Sequence, residues 1–174
     1  VALGEALKPE FKEYGKQIVK NSKDLAKSLM ENGIKLVTNG TDNHMMLIDL
    51  TPFGKGNGVF AQEALEEANI TVNKNTIPAE PASPFYPSGI RLGTPAITTR
   101  GMKEKDMEVI GKWIAEVIKE VKDFELPEDK DEKAQYIKDF KEKIKNNKKI
   151  KEIKINVMEL CKKFPLYPDF DILK

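Results

Sequence analysis

An irregular stretch from Asn73 to Gly101, rich in Pro, Ser and Thr, divides this chain between amphipathic helical patterns and constrains its fold more than any other feature. Segments of this kind usually carry function rather than core. The stretch holds Arg91 between Gly89 and Gly93 on a short apolar run. A guanidinium placed there can reach a carboxylate with its planar fork, and the flanking glycines are expected to leave room for a ligand. The chemistry alone equally permits a structural arginine bonded to loop carbonyls.

The remaining pattern predicts a mixed fold. Pro9 suits a first helical turn, and Phe11, Tyr14, Ile18, Leu25 and Leu29 recur at roughly helical spacing, so a helix is expected over 9–32 with Gly33 as its stop. Runs 34–37 and 45–50, separated by a cluster of turn formers, predict an antiparallel hairpin. A helix is expected over 58–68, a short strand starting at Thr71-Val72, and a further strand over 89–92. Over 103–124, Met107, Ile110, Trp113, Ile114, Val117 and Val121 form an apolar stripe that should pack on a sheet face. After Leu126-Pro127 the chain turns strongly charged, yet Tyr136, Ile137, Phe140 and Ile144 keep a helical stripe, Asn146-Asn147 suggests a break, and a last helix is expected over 149–163. The expected class is α/β (α+β), a small mainly antiparallel sheet with helices against it. Residues 1–125 would hold sheet, helices and loop, and 126–174 a charged helical extension of the same domain.

Composition removes several classes. The 174 residues are 40% hydrophobic, enough for one ordinary core. Lys+Arg of 29 against Asp+Glu of 28 gives a net charge of +1, so a generally basic surface for nucleic acid or anionic membrane is not indicated. Cys161 is the single cysteine, which excludes an internal disulfide and suits a reducing, cytoplasmic compartment. No apolar run approaches membrane-spanning length and the start shows no signal-peptide pattern.

Spaced blocks give the pattern a family resemblance. They are Val1 to Phe11, Gly40-Thr41-Asp42-Asn43-His44 before an apolar strand, Ile70 to Asn75, Ser88-Gly89-Ile90-Arg91-Leu92-Gly93-Thr94-Pro95-Ala96, and Leu160 to Pro168. In that order they resemble serine hydroxymethyltransferase, a pyridoxal-phosphate enzyme that moves a one-carbon unit between serine and tetrahydrofolate. The family's Schiff-base lysine, set in a run of threonines followed by His-Lys, has no counterpart here. The chain therefore reads as the C-terminal domain of a fold-type I pyridoxal-phosphate enzyme, lacking the cofactor-binding half and inactive alone.

The resemblance implies roles residue by residue. Arg91 would take the substrate α-carboxylate, fixing which α-carbon bond stands perpendicular to the cofactor ring. Asn75, Ser83, Pro84 and Phe85 would contact the pteridine end of tetrahydrofolate, the amide offering donor and acceptor and the ring an apolar face. Read without the resemblance, the same residues are a proline-stiffened loop whose Asn caps a turn. Implied partners are the missing large domain, serine, glycine, tetrahydrofolate and further copies of the intact protein. The charged segment after Pro127 is longer than the family connection and reads as a surface elaboration.

Other candidates have plainer readings. His44 lacks a Ser, Cys or metal-ligand constellation and reads as structural. Lys74 lies in the wrong motif for a Schiff base. The lysines from Lys138 to Lys154 are interrupted by Asp139, Glu142 and Glu152, which favours a solvated helix face over a nucleic-acid stripe. Cys161 falls at helical spacing with Val157, Leu160 and Phe164 and reads as core. Two alternatives remain: the small domain of a pyridoxal-phosphate aminotransferase, which has no pteridine to bind, and a non-enzymatic interaction module using the charged helices.

Overall fold

The computed structural model describes residues 1–166, so Tyr167 and Pro168 of the closing motif lie outside the described residues. Its elements run α1 (Ala2–Ala6), α2 (Pro9–Glu31), β1 (Met45–Asp49), a 3-10 turn (Thr51–Phe53), α3 (Gly58–Glu67), β2 (Asn73–Asn75), β3 (Gly89–Gly93), α4 (Pro95–Thr99), α5 (Glu104–Glu120), α6 (Lys130–Ile144) and α7 (Lys148–Lys163). The expected α/β class with a small antiparallel sheet is what forms: three strands in the order β1-β3-β2, both pairs antiparallel.

Helix α2 starts with Pro9 in its first turn and ends in a left-handed glycine, Gly33 at φ 82°. There the Gly33 N–H donates to Met30 O and the Ile34 N–H to Leu29 O, a double closure that satisfies carbonyls the helix would otherwise leave bare. Leu29 and Ile34, the residues bracketing this turn, are both buried. The apolar stripe enters the core only from Asn21 onward. Phe11, 47% exposed, packs instead on the ring of Tyr14, whose hydroxyl donates to Pro95 O of α4. Further along, Gly111 of α5 lies so close to α2 that an added Cβ would stand 2.5 Å from Ser28 Oγ, and that hydroxyl donates to Glu108 O.

The hairpin expected over 34–37 and 45–50 is reduced to one bridge, Leu36 to Ile48, flanked by Val37 N–H to Leu47 O and Asp49 N–H to Lys35 O. The connection is too long to fix a register, and Asn39 and Gly40 both take positive φ, which carries the chain away from β1. Strand β2 begins two residues later than expected, at Asn73, although Val72 already points into the core. Helix α5 stops at Glu120 rather than Phe124, and the short helices α1 and α4 have no counterpart in the expectation.

Helices α6 and α7 correct a second expectation. They are part of the core rather than a surface elaboration: Phe140, Ile144, Ile150, Ile153 and Val157 are buried in the same cluster as the sheet residues. The Phe140 ring lies 4.8 Å from Phe60 and 4.7 Å from Phe124, both edge-on. Asn147 marks the break by accepting from the Ile150 N–H and so capping α7. On the charged face, Lys141 pairs with Glu63, Lys154 with Glu67, and Lys149 with Glu152. Cys161 is half-buried against the core, and its carbonyl accepts from Arg100 at the C-terminal end of α7. Among the described residues, no helix is long and apolar enough to cross a membrane.

Candidate functional site

The sheet has two unlike faces because strand side chains alternate. Met46, Ile48, Ile90 and Leu92 enter the core, whereas Arg91 is exposed on the opposite face. Register then decides its company. Arg91 lies opposite Leu47 on one side and Asn73 on the other, while Gly89 lies opposite Asp49 and Asn75. Asn75 and Arg91 are therefore diagonal neighbours on one face, with Cα atoms about 7–8 Å apart by strand geometry. Asn73 was not singled out from the sequence; counting back two residues from Asn75 would have found it.

Arg91 has no hydrogen bond and no carboxylate within ion-pair distance among the described residues, so its guanidinium is not consumed by structure. The nearest ladder acid, Asp49, is already committed: it accepts from the Thr51 N–H and hydroxyl and pairs with Lys35 at 2.7 Å. Burial pushes the Asp49 carboxyl up, but Lys35 and Thr51 outweigh that and hold it below the usual carboxylate range. Arg91 borders a hollow of about 370 Å³ shared with His44, Met45, Thr71, Asn73 and Gly93. His44 thus stands at the rim of the same hollow, while its carbonyl accepts from the Thr94 N–H and closes the end of the ladder.

The flanking glycines do not serve as ligand space. A Cβ on Gly89 would meet Ile77 Cγ2 at 2.5 Å and Ile48 O at 2.8 Å, and one on Gly93 would meet His44 O at 2.9 Å. They permit close chain packing beside Arg91.

Residues 76–88 rise from β2 and return to β3. At their tip, Ser83 and Tyr86 form a bridge around Pro84 and Phe85, and Phe85 is 79% exposed. Lys74 ties this tip down: its Nζ donates to Phe85 O and its N–H to Gln62 Oε1. Asn75 is half-buried and donates its amide to Thr76 O. The structure brings Arg91 and Asn75 to one sheet face and places Ser83, Pro84 and Phe85 on a separate projecting turn.

Glu80 holds that turn and was missed from the sequence; an acid alone in a proline-rich stretch, where backbone amides lack ladder partners, was the available signal. Its carboxylate accepts from the N–H groups of Ile77, Ala82 and Ser88 and from the Ser88 hydroxyl. Burial pushes this carboxyl up, but those four bonds outweigh it and leave it below its ordinary value. The sign follows. The bonds contribute fully at neutral pH, weaken as pH falls into the ordinary carboxylate range near ~4.3, and are gone below the depressed native value. Protection of the Ala82 and Ser88 amides, taken relative to the intrinsic exchange rate at each pH, is expected to fall on acidification through that window, before that of the core amides of Ile48 and Ile90; equal loss of protection at all four would refute a local effect.

Fold and site together define a mixed α/β domain with an arginine unpaired among the described residues on an open sheet face. A family model described as serine hydroxymethyltransferase matches residues 1–114. The chain is 46% identical over 169 residues to a serine hydroxymethyltransferase of Methanospirillum hungatei JF-1, an alignment covering 97% of this chain and 35% of that protein. It is 45% identical over 167 residues to one of Phenylobacterium zucineum HLK1, covering 96% and 34%. The chain belongs to the serine hydroxymethyltransferase family, whose members are fold-type I pyridoxal-phosphate enzymes. It spans about a third of the length of these relatives. Both alignments extend past Pro127 into the charged segment, whereas the family model's match ends at residue 114.

Proposed function

We propose that this chain is the substrate-orienting C-terminal domain of a serine hydroxymethyltransferase, which interconverts serine plus tetrahydrofolate and glycine plus methylenetetrahydrofolate. The observation that carries the reading is the guanidinium of Arg91, unpaired among the described residues on an open sheet face, two residues along the ladder from Asn75. No lysine lines its hollow, and Lys74 is bonded to Phe85 O. These residues fit a substrate carboxylate and do not themselves anchor pyridoxal phosphate, which the rest of the protein would hold. When bound, that group supplies an electron sink for charge developing at the α-carbon.

Arg91 grips the serine carboxylate through two parallel N–H donors, which fixes rotation about the bond to the α-carbon and so selects the bond to the β-carbon for cleavage. Asn75 meets a heterocycle edge with donor and acceptor, and Ser83, Pro84 and Phe85 form a wall against which the pteridine lies. The released one-carbon unit passes to tetrahydrofolate on that side. By itself the chain should have no turnover. Residues 126–174 are assigned to the same domain as 1–125, a division supported by the shared aromatic cluster. A cytoplasmic homo-oligomer completes the reading, and the uncovered apolar side chains of Leu3, Leu7 and Phe11 support a further protein surface there.

The test is product analysis on the complete protein supplied with pyridoxal phosphate. Glycine formed from serine only when tetrahydrofolate is present supports the assignment. Amino-group transfer from an amino acid to a keto acid, with no folate requirement, would replace it with the aminotransferase reading.

A further inference from the structure

Between β2 and β3 the chain leaves the sheet for residues 76–88, and among these only the Ser83–Tyr86 bridge is a recognised pairing. Ile77 and Ser88 are buried at the two ends of this excursion, but its tip carries a 79% exposed phenylalanine that packing does not fix. Lys74 Nζ holds the tip at Phe85 O, and the rest of the fixing comes from one carboxylate. Glu80 Oε2 accepts from Ile77 N–H at 3.2 Å and Ser88 N–H at 3.0 Å; Oε1 accepts from Ala82 N–H at 3.0 Å and the Ser88 hydroxyl at 2.6 Å. The two ends of the excursion are thus clipped to a single side chain, and its middle with them. Ser88 is fully buried, and because its hydroxyl donates to Glu80 its oxygen is free to accept from the Gly56 N–H at 2.9 Å. The clip therefore continues into the turn that precedes α3. Immediately before Glu80, Ala79 takes φ 54°, a conformation that a residue with a Cβ adopts only when its surroundings impose it.

We infer that Glu80 is the positioning residue of the folate wall: its carboxylate sets the Ser83–Tyr86 turn, and with it Phe85, at a fixed place relative to Arg91 before tetrahydrofolate arrives. This rests on the folate assignment of the preceding section and adds to it the residue that pre-organises the wall. Glu80 touches neither substrate nor reacting atoms. Its effect passes through Ala82, whose neighbour Ser83 opens the turn, while Ser88, held in place beside the first residue of β3, is the fixed end of the clip. A preset wall lowers the ordering cost of binding, and that gain is confined to the ligand lying against it.

The experiment compares Glu80→Gln with wild type in the complete holoenzyme, using two reactions. One is folate-dependent serine cleavage; the other is cleavage of a 3-hydroxy amino acid that releases an aldehyde directly and needs no folate. An amide keeps the shape of the carboxylate but turns one of its two acceptor positions into a donor, facing N–H groups that also donate. KM for tetrahydrofolate should rise about tenfold, while kcat and KM of the folate-independent reaction stay within about twofold. A parallel fall in both reactions would mean that Glu80 holds the Arg91 strand rather than the wall, and no change in either would mean that the wall needs no clip; each overturns the inference. Should Glu80→Gln fail to fold, Glu80→Asp withdraws the oxygens by one methylene, keeps the charge, and is read by the same ratio. The wild-type arm separates the two levels of the argument: without folate-dependent turnover there, the function assigned to the domain falls first.

Discussion

Arg91→Ala in the complete protein is expected to lower kcat/KM for serine roughly a thousandfold. Truncating one partner of a hydrogen-bonded charge pair costs about 2–5 kcal/mol once water is excluded, and each 1.4 kcal/mol is a factor of ten. The loss should fall on activity rather than on folding. Arg91 forms no hydrogen bond or ion pair among the described residues and sits on the exposed face of β3, so its removal leaves nothing buried unpaired, and stability should change by no more than about 0.5 kcal/mol. Binding of pyridoxal phosphate, followed by its absorbance, should be retained because the chain offers no lysine at this hollow. Arg91→Lys should recover only part of the loss: an ammonium restores charge but not the planar fork that fixes the carboxylate's rotation. Serine kinetics unaltered in Arg91→Ala would remove the carboxylate assignment.

Much of this arrangement was legible because it depends on local period. The helices over 9–31, 58–67 and 148–163 follow from apolar spacing and from Pro9, Gly33 and Asn147 at their ends. Arg91 could be placed on a strand from Ile90 and Leu92 alone. Its neighbours could not, since β1, β2 and β3 meet only through long-range register, and register is what sets Asn73 opposite Arg91 and Asn75 two residues along. The same limit hid the role of the glycines, which is decided by Ile77, Ile48 and His44 arriving from distant parts of the chain. Glu80 was hidden for a different reason. Loop amides impose a demand for acceptors that has no period; Glu80 is marked only as the single acid in 73–101, and nothing in the sequence says which amides it will meet. The stripe through Phe140 was legible, but the charged composition of 128–163 concealed that Phe140 and Ile150 enter the same core as the sheet, each buried although most of its neighbours are not.

Phe60→Ala should be the most damaging single change to stability, by about 3–5 kcal/mol. Phe60 is fully buried, and its ring meets Phe124 at 5.8 Å, Tyr136 at 6.0 Å and Phe140 at 4.8 Å, so one side chain joins α3, the segment after α5 and α6. For a chain of this length, each kcal/mol moves the melting midpoint by about 2–4 °C, which puts the expected shift at roughly 6–20 °C. The form of the transition matters as much as its position. If residues 126–174 belong to the same cooperative unit as 1–125, Phe60→Ala and Phe140→Ala each lower a single transition. The double variant then loses less than the sum of the two, because the second truncation removes a contact already broken by the first. Two separate transitions, with the C-terminal helices melting early and the sheet unaffected by Phe140→Ala, would instead make those helices an independent module. The geometry opposes that outcome: Phe140 also packs edge-on against Phe124 at 4.7 Å, so α6 cannot leave without uncovering both rings that close the far end of the core.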